Sequence, residues 1–132
     1  MKWKDEDMNE ADEKIREPGR YLAEVKVVLE SKTRTSGDNM WSLLFIEPKS
    51  GRELCWDNLS FGRGRGIAFK KMTVLGVPKN DQGFFEIEDK DELVGNRCYL
   101  NLVEETYSGK SGNSTKLAPD FHSENFGYEP PF

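Results

Sequence analysis

The sequence is poor in the residues that most often carry chemistry. It contains one histidine, His122, and two cysteines, Cys55 and Cys98. Three such residues cannot supply the four ligands of a structural zinc site, so no metal is predicted. No Ser/His/Asp or Cys/His arrangement falls at plausible strand ends, and we therefore predict that the chain is not an enzyme and needs no cofactor. Both cysteines lie in strand-like runs and are expected to be buried free thiols.

Long apolar runs and nucleotide-binding loops are also missing. No apolar run approaches the roughly 20 residues that span a membrane. The acidic stretch from Met1 to Asp12 has no apolar segment of the kind a secretory signal needs. Together with the free thiols, these absences predict a cytoplasmic protein. Gly62, Gly64 and Gly66 match neither the dinucleotide fingerprint nor the Gly-Lys-Ser/Thr ending of a triphosphate-binding loop.

Charge is present in quantity, but it is unevenly distributed behind a net charge of −5. Residues 1–19 carry 4 basic and 7 acidic side chains, a net −3. Residues 20–79 carry 11 basic and 6 acidic side chains, a net +5, and residues 80–132 carry 4 and 11, a net −7. A basic middle between acidic ends favours contact with a polyanion through the middle segment. Ordinary scatter of surface charge is the alternative interpretation.

Hydrophobic periodicity predicts a mainly β fold. From Arg20 the period is two, and the odd-numbered positions from Tyr21 to Leu29 share one face of a long, half-buried strand. Further strands are predicted at residues 40–47, 52–61, 97–107 and 115–121, with a glycine-rich hairpin loop at 108–114. The apolar spacing at residues 67–75 predicts a helix of two to three turns.

Three strands, a helix and two strands is the element order of an OB-fold, a five-stranded Greek-key barrel with its helix between strands three and four. The predicted organisation is an acidic arm at 1–17, the OB domain at 18–121 and an acidic, aromatic tail at 122–132. The loops at 33–39 and 107–115 correspond to the ligand clamps of that fold. An open five-stranded sheet with one helix is the alternative.

Single-stranded nucleic acid is held by a basic groove together with aromatic faces on which bases stack. Arg63 and Arg65 lie among glycines that let backbone N–H groups approach a phosphate, although the same segment would also serve as a flexible connection. Trp41 and Trp56 share their strand faces with leucines, so either could be a core residue instead. Phe61 is a further aromatic candidate. The predicted binding residues are Lys32, Arg34, Trp41, Arg52, Trp56, Arg63, Arg65, Tyr99, Tyr107, Lys110 and Lys116.

Several short segments stand in a characteristic order and spacing: Pro18–Gly19–Arg20–Tyr21, Thr35–Ser36–Gly37–Asp38–Asn39–Met40, residues 52–59 and 64–76, Leu93–Val94–Gly95–Asn96–Arg97 and Phe126–Gly127–Tyr128–Glu129–Pro130. In these segments the chain resembles a phage-encoded family whose members look like OB-fold single-stranded-DNA-binding proteins of viral replication and recombination. The resemblance extends over about residues 18–130. It implies a protein of the infected bacterial host cell's cytoplasm.

The chain ends in Glu129–Pro130–Pro131–Phe132, which is similar to the Pro-Phe tail with which bacterial single-stranded-DNA-binding proteins dock replication and repair partners. The resemblance implies that Pro131 and Phe132 bind a partner protein. Acids are sparse here, and packing of Tyr128 and Phe132 onto the barrel is the alternative.

Together these features predict sequence-tolerant binding of single-stranded DNA in phage replication or recombination. Two alternatives remain open. One is an OB-fold module that recruits replication proteins, which a barrel face of Glu and Asp would favour. The other is RNA binding, which uses the same groove chemistry.

Overall fold

The computed structural model describes residues 14–15, 17–33, 37–63, 65–109, 112–124 and 126–131. These residues form six strands, one α-helix and one short 3₁₀-helix. The helix lies between the third and fourth strands, as the sequence predicts. In chain order the elements are β1 (Gly19–Lys32), β2 (Asn39–Ile46), β3 (Glu53–Ser60), α1 (Arg65–Val74), the 3₁₀-helix (Lys90–Leu93), β4 (Arg97–Gly109), β5 (Gly112–Pro119) and β6 (Tyr128–Glu129).

The strands form one antiparallel sheet in the order β3-β2-β1-β4-β5, and the short β6 pairs with β4. Within the described residues no ladder joins β3 to β5, so the sheet is open there and a closed barrel is not confirmed. Lys14 and Glu53 instead form an isolated parallel bridge, with the Ile15 N–H donating to the Glu53 carbonyl at 2.9 Å. That contact uses a hydrogen-bonding position on the β3 edge that β5 would need for closure.

A bulge divides β1 between two neighbours. Its first part, from Gly19 to Glu24, pairs with β4, and its second part pairs with β2. The register shifts between Val25 and Val27, so one extra residue is inserted and the side chains beyond it change faces. Val28 is therefore buried and Leu29 is 52% exposed, opposite to the unbroken alternation that the sequence suggested.

The core lies between the inner face of the sheet and α1. The strands contribute small and branched side chains such as Val25, Leu43 and Leu100, and the helix contributes Ala68 and Met72. Gly76 follows the last turn of α1 and stops the helix, with a φ of 81° that glycine adopts readily. The Val77 N–H donates to the Met72 carbonyl and the Gly76 N–H to the Thr73 carbonyl, which is a Schellman ending. None of the helices among the described residues is both long and apolar enough to cross a bilayer.

The β4–β5 hairpin is longer than the sequence suggested. Pairing continues through Ser108–Asn113 to Gly109–Gly112, so most of the loop predicted at 108–114 belongs to the ladder. The prediction of a seven-residue loop was wrong. Glycine, serine and asparagine usually mark turns, but in an exposed hairpin they also pair through their backbones when the connection is only two residues long.

Candidate nucleic-acid interface

The outer face of β2 and β3 is exposed to solvent around its centre and carries no charged side chain. Its Ser42 Oγ donates a hydrogen bond to Asn58 Oδ1 at 2.8 Å. The most accessible large side chain on it is that of Trp56, which is 46% exposed. This surface, called the outer face below, consists of three cross-strand pairs: Met40–Ser60, Ser42–Asn58 and Leu44–Trp56.

The two candidate tryptophans have different environments. Trp41 is opposite Leu59, is partly buried against the core cluster, and contacts Phe61 edge-to-face with ring centroids 4.8 Å apart. Trp56 lies on the opposite side of the β2–β3 ladder, where its indole is open to solvent. A stacked base needs an accessible ring face. Trp56 meets that requirement, whereas Trp41 and Phe61 contribute mainly to packing.

Three predicted cations lie at the end of the sheet that carries the Met40–Ser60 pair. Lys32 of β1 pairs with Asn39 of β2. The Asn39 carbonyl accepts a hydrogen bond from the Phe61 N–H at 3.0 Å, and Arg63 and Arg65 follow Phe61 in the sequence. The Arg65 guanidinium donates to the Gly62 carbonyl at 3.3 Å. None of the three cations forms an ion pair with another described residue. Their charges are therefore available to a bound anion.

Gly62 has no Cβ atom, and this allows the Asp38 side chain of the β1–β2 loop to lie against it. A Cβ atom at Gly62 would lie 1.9 Å from Asp38 Oδ2, so a larger residue would displace the Asp38 side chain. Asp38 belongs to the β1–β2 loop, where the Thr33 N–H donates to its carbonyl at 2.9 Å. Asp38, near the end of the first predicted clamp loop, thus lies close to the segment that carries Arg63. The candidate residue of that loop, Arg34, lies outside the described residues.

A cavity of about 420 Å³ lies between the two edge strands, β3 and β5. Trp56 lines it from β3 and Lys116 from β5, so the structure brings together two candidates that are 60 residues apart in sequence. Glu104 of β4 and Thr115 of β5 also line it. Glu104 and Thr115 could not be predicted as site residues, because no local signal indicates that β3 and β5 approach each other.

Tyr99 already has a cationic partner. The Arg20 guanidinium carbon lies 3.8 Å from the centroid of its ring, and Arg20 Nε donates to Glu129 Oε2 at 2.6 Å. Asn101 Nδ2 donates to the other oxygen of Glu129 at 2.9 Å. These hydrogen bonds, that from Arg20 foremost, lower the pKa of Glu129. Tyr99 is therefore part of a polar cluster between β1, β4 and β6 and not an open stacking platform.

The remaining candidates lie apart from the three cations. Arg52 belongs to the β2–β3 hairpin, where its carbonyl accepts from the Glu47 N–H at 2.8 Å, at the opposite end of β3 from Arg63. Tyr107 lies in β4 opposite Ser114, close to the β4–β5 turn. Lys110 lies outside the described residues. The structure thus assembles only part of the predicted set around the outer face.

A buried polar cluster lies behind the outer face and was not predicted. Asp57 Oδ2 accepts from Lys71 Nζ at 2.7 Å and from the Tyr128 hydroxyl at 2.6 Å. Tyr128 is fully buried, and burial together with the Asp57 charge raises its pKa. The signal in the sequence was the charged Asp57 at an inward position between Cys55 and Leu59, but its partners could not be identified.

The C-terminal segment joins the sheet through β6, which pairs with β4. Leu100 pairs with Tyr128 and Tyr99 with Glu129. Of the two residues predicted to bind a partner, Pro131 is half-buried and Phe132 lies outside the described residues. This favours packing of Tyr128 on the sheet, the alternative considered above for the tail.

Both cysteines are buried and free, as the sequence predicts. Burial raises the pKa of the Cys98 thiol to about 12 and raises the pKa of the Cys55 thiol above that value. The nearby Asp57 charge adds to the increase for both thiols. These thiols therefore stay protonated at neutral pH and are poor nucleophiles. Across the described segments, no group of three or more His, Cys, Asp or Glu side chains is arranged to hold a metal ion.

No protein-family model matches this chain, and no curated protein matches it significantly. Its function is therefore inferred from its own residues and their geometry.

Proposed function

We propose that this protein binds single-stranded DNA on the outer face of β2 and β3, using an OB-type barrel as its scaffold. OB-folds are partly open five-stranded barrels that bind oligonucleotides on the face of strands two and three. The sheet order β3-β2-β1-β4-β5 and the helix between β3 and β4 are compatible with that scaffold. The resemblance to a phage-encoded OB-fold family supports a role in phage replication or recombination.

The observation that carries the proposal is an uncharged outer face that exposes Trp56 at one end, with cations that form no ion pair with a described residue near its other end. Bases are apolar on their faces and stack on an indole, whereas phosphates need positive charge. Lys32, Arg63 and Arg65 supply that charge beside the face and not on it. A base would thus stack on the Trp56 indole, and the phosphates would contact the cations.

The same arrangement favours single strands and tolerates different sequences. A base inside a duplex has both faces covered by its neighbours, so it cannot stack on Trp56. Every base has a π face, and one stack on an aromatic residue contributes about 1–3 kcal/mol whatever the base. The acidic ends of the chain, at −3 and −7, would repel DNA that approaches elsewhere.

Fluorescence anisotropy with labelled oligonucleotides tests the proposal. We expect the full chain to bind an oligothymidylate of about 20 nucleotides, longer than the roughly 4–16 that one OB fold covers. It should bind the corresponding duplex much more weakly. Affinity should fall with salt at a slope of about −0.7 per phosphate neutralised. Equal affinity for duplex, or no dependence on salt, would contradict the proposal, and tighter binding of oligouridylate would favour the RNA alternative.

A second candidate function, recruitment of a protein partner, is favoured by a different surface. Phe84 is 65% exposed and Phe69 is 38% exposed, and the rings of Phe69 and Phe85 are 5.4 Å apart. Residues 79–92 hold six acidic and two basic side chains, which would repel DNA. If this surface recruits replication proteins, Phe84→Ser should abolish a pull-down of those proteins and leave DNA affinity unchanged.

A further inference from the structure

We propose that the cavity between β3 and β5 accepts one base of the bound strand, and that Glu104 selects bases carrying an exocyclic amino group. This inference rests on the proposed binding of single-stranded DNA and adds a base preference to it. Cytosine, adenine and guanine would be accepted, and thymine would be disfavoured.

The position of the cavity suits a base that leaves the outer face. Trp56 belongs to that face and also lines the cavity, so a base stacked beside Trp56 is next to the opening. The volume of about 420 Å³ falls within the range of roughly 300–1,000 Å³ typical of small-molecule sites. The open edge between β3 and β5 therefore provides space that a closed ladder would fill.

The chemistry of the lining distinguishes one base from another. An ionised carboxylate only accepts hydrogen bonds, and Glu104 forms no ion pair with any other described residue. Cytosine N4, adenine N6 and guanine N2 are amino donors, whereas thymine has no amino group and presents the O4 carbonyl oxygen where cytosine has N4. A carboxylate attracts an amino group and repels a carbonyl oxygen. The Thr115 hydroxyl can both donate and accept, so it fits any of these bases.

A carboxylate beside a bound polyanion is otherwise unfavourable, and its neighbours limit that effect. Lys116 lines the same cavity. The other carboxylate in the lining, Glu53, lies 4.0 Å from Lys14 Nζ. Glu104 is thus the acidic group of this cavity that remains available to a base amino group.

The test compares oligodeoxycytidylate with oligothymidylate of the same length, bound to the full chain at neutral pH. Wild-type protein should bind the cytidylate about tenfold more tightly, the discrimination expected of one good contact to a base edge. Glu104→Gln should bring this ratio close to one. Glu105→Gln is the matched control, because it removes the same charge from the adjacent position on β4, outside the cavity lining. It should raise both affinities slightly and keep the ratio.

The outcomes separate the two proposals. A wild-type ratio near one, or a ratio that Glu104→Gln leaves unchanged, overturns base selection while single-stranded DNA binding stands. An equal change of the ratio in both variants also overturns it, because the effect would then be one of net charge. If neither oligonucleotide binds, the proposed function itself fails. Thermal melting of both variants verifies that they are folded.

Discussion

The two faces of β3 differ in the polar side chains that they carry. On the outer face, Trp56 and Asn58 are exposed and uncharged. On the inner face, Asp57 is buried between Cys55 and Leu59 and carries a charge. The ionisable side chain in the middle of this strand thus lies in the core, and the polar but neutral one lies in solvent, which reverses the usual arrangement.

The difference shows how charge is used in this molecule. The neutral outer face leaves the Trp56 indole accessible for stacking, and the cations lie beyond its far end, at the end of β1, in the β3–α1 connection and at the start of α1. Inside, the Asp57 charge is compensated by Lys71 of α1 and by the Tyr128 hydroxyl of β6, so one carboxylate joins three elements. The inner face therefore contributes to stability, and the outer face is the surface on which we propose that DNA binds.

The largest effect should come from breaking the inner cluster. Asp57→Ala leaves the Lys71 ammonium buried without its counter-ion, and we expect the free energy of unfolding to fall by about 3–5 kcal/mol. Urea denaturation measures this. Asp81→Ala, at an exposed position, is the control and should stay within about 0.5 kcal/mol of wild type. A loss below about 1 kcal/mol for Asp57→Ala would contradict a buried ion pair.

Tyr128→Phe removes only the hydroxyl from the same cluster. A hydrogen bond to a charged group contributes about 1.5–3 kcal/mol, so the free energy of unfolding should fall by that amount at neutral pH. The pKa of Tyr128 is raised above its unfolded value of about 10, so this contribution is complete below about pH 10 and is lost as the pH rises further. Wild type should thus lose stability more steeply than Tyr128→Phe above about pH 10. Parallel alkaline profiles in urea titrations would exclude this role.

On the outer face, Trp56→Ala should reduce affinity for single-stranded DNA. Loss of one stack of about 1–3 kcal/mol corresponds to a decrease of roughly 5- to 150-fold. The melting temperature should change little, because Trp56 is 46% exposed. Trp41→Ala is the contrasting variant: it should lower the melting temperature through lost core packing, with a smaller effect on the affinity of the folded protein. The opposite pattern would reverse the roles assigned to the two tryptophans.

The smallest effect should come from the cations beside the outer face. Replacing Arg63 and Arg65 together by Ala should reduce the salt slope of binding by about 1.4, if each arginine neutralises one phosphate. All sequences should be affected alike, and stability should be nearly unchanged. Lys79→Ala is the control, since Lys79 lies over the Phe85 ring in the acidic region. A loss of folding in the double variant would show that the segment is structural.

The order and type of the first five strands and of α1 could be predicted from the sequence, because alternation and turn residues are local signals. The short strand β6 was not predicted, because it forms only by pairing with the distant β4. The side chains of β1 that face the core beyond Val25 could not be predicted, because the bulge between Val25 and Val27 has no marker in the sequence. The β4–β5 turn was similarly predicted too long, because backbone pairing of Gly109 with Gly112 is not visible in polar side chains.

The candidate site was predictable only in outline. Trp41 and Trp56 could not be told apart, because β2 and β3 carry apolar residues on both faces; Leu43, Leu44 and Phe45 are all buried. Tyr99 is one of the predicted binding residues, but its contact with Arg20 depends on the register of β1 against β4, which the sequence does not show. Register is set by the whole sheet and not by either strand alone.

The sequence by itself determined the β-rich element order, the free thiols and the partition of charge into a basic middle and acidic ends. Those properties follow from the spacing and type of neighbouring residues. Only the tertiary structure decided that Asp57 meets Lys71 and Tyr128, and that Trp56, Glu104 and Lys116 share a cavity. These groups are far apart along the chain, and their contacts depend on sheet order, on the bulge in β1 and on the open edge between β3 and β5.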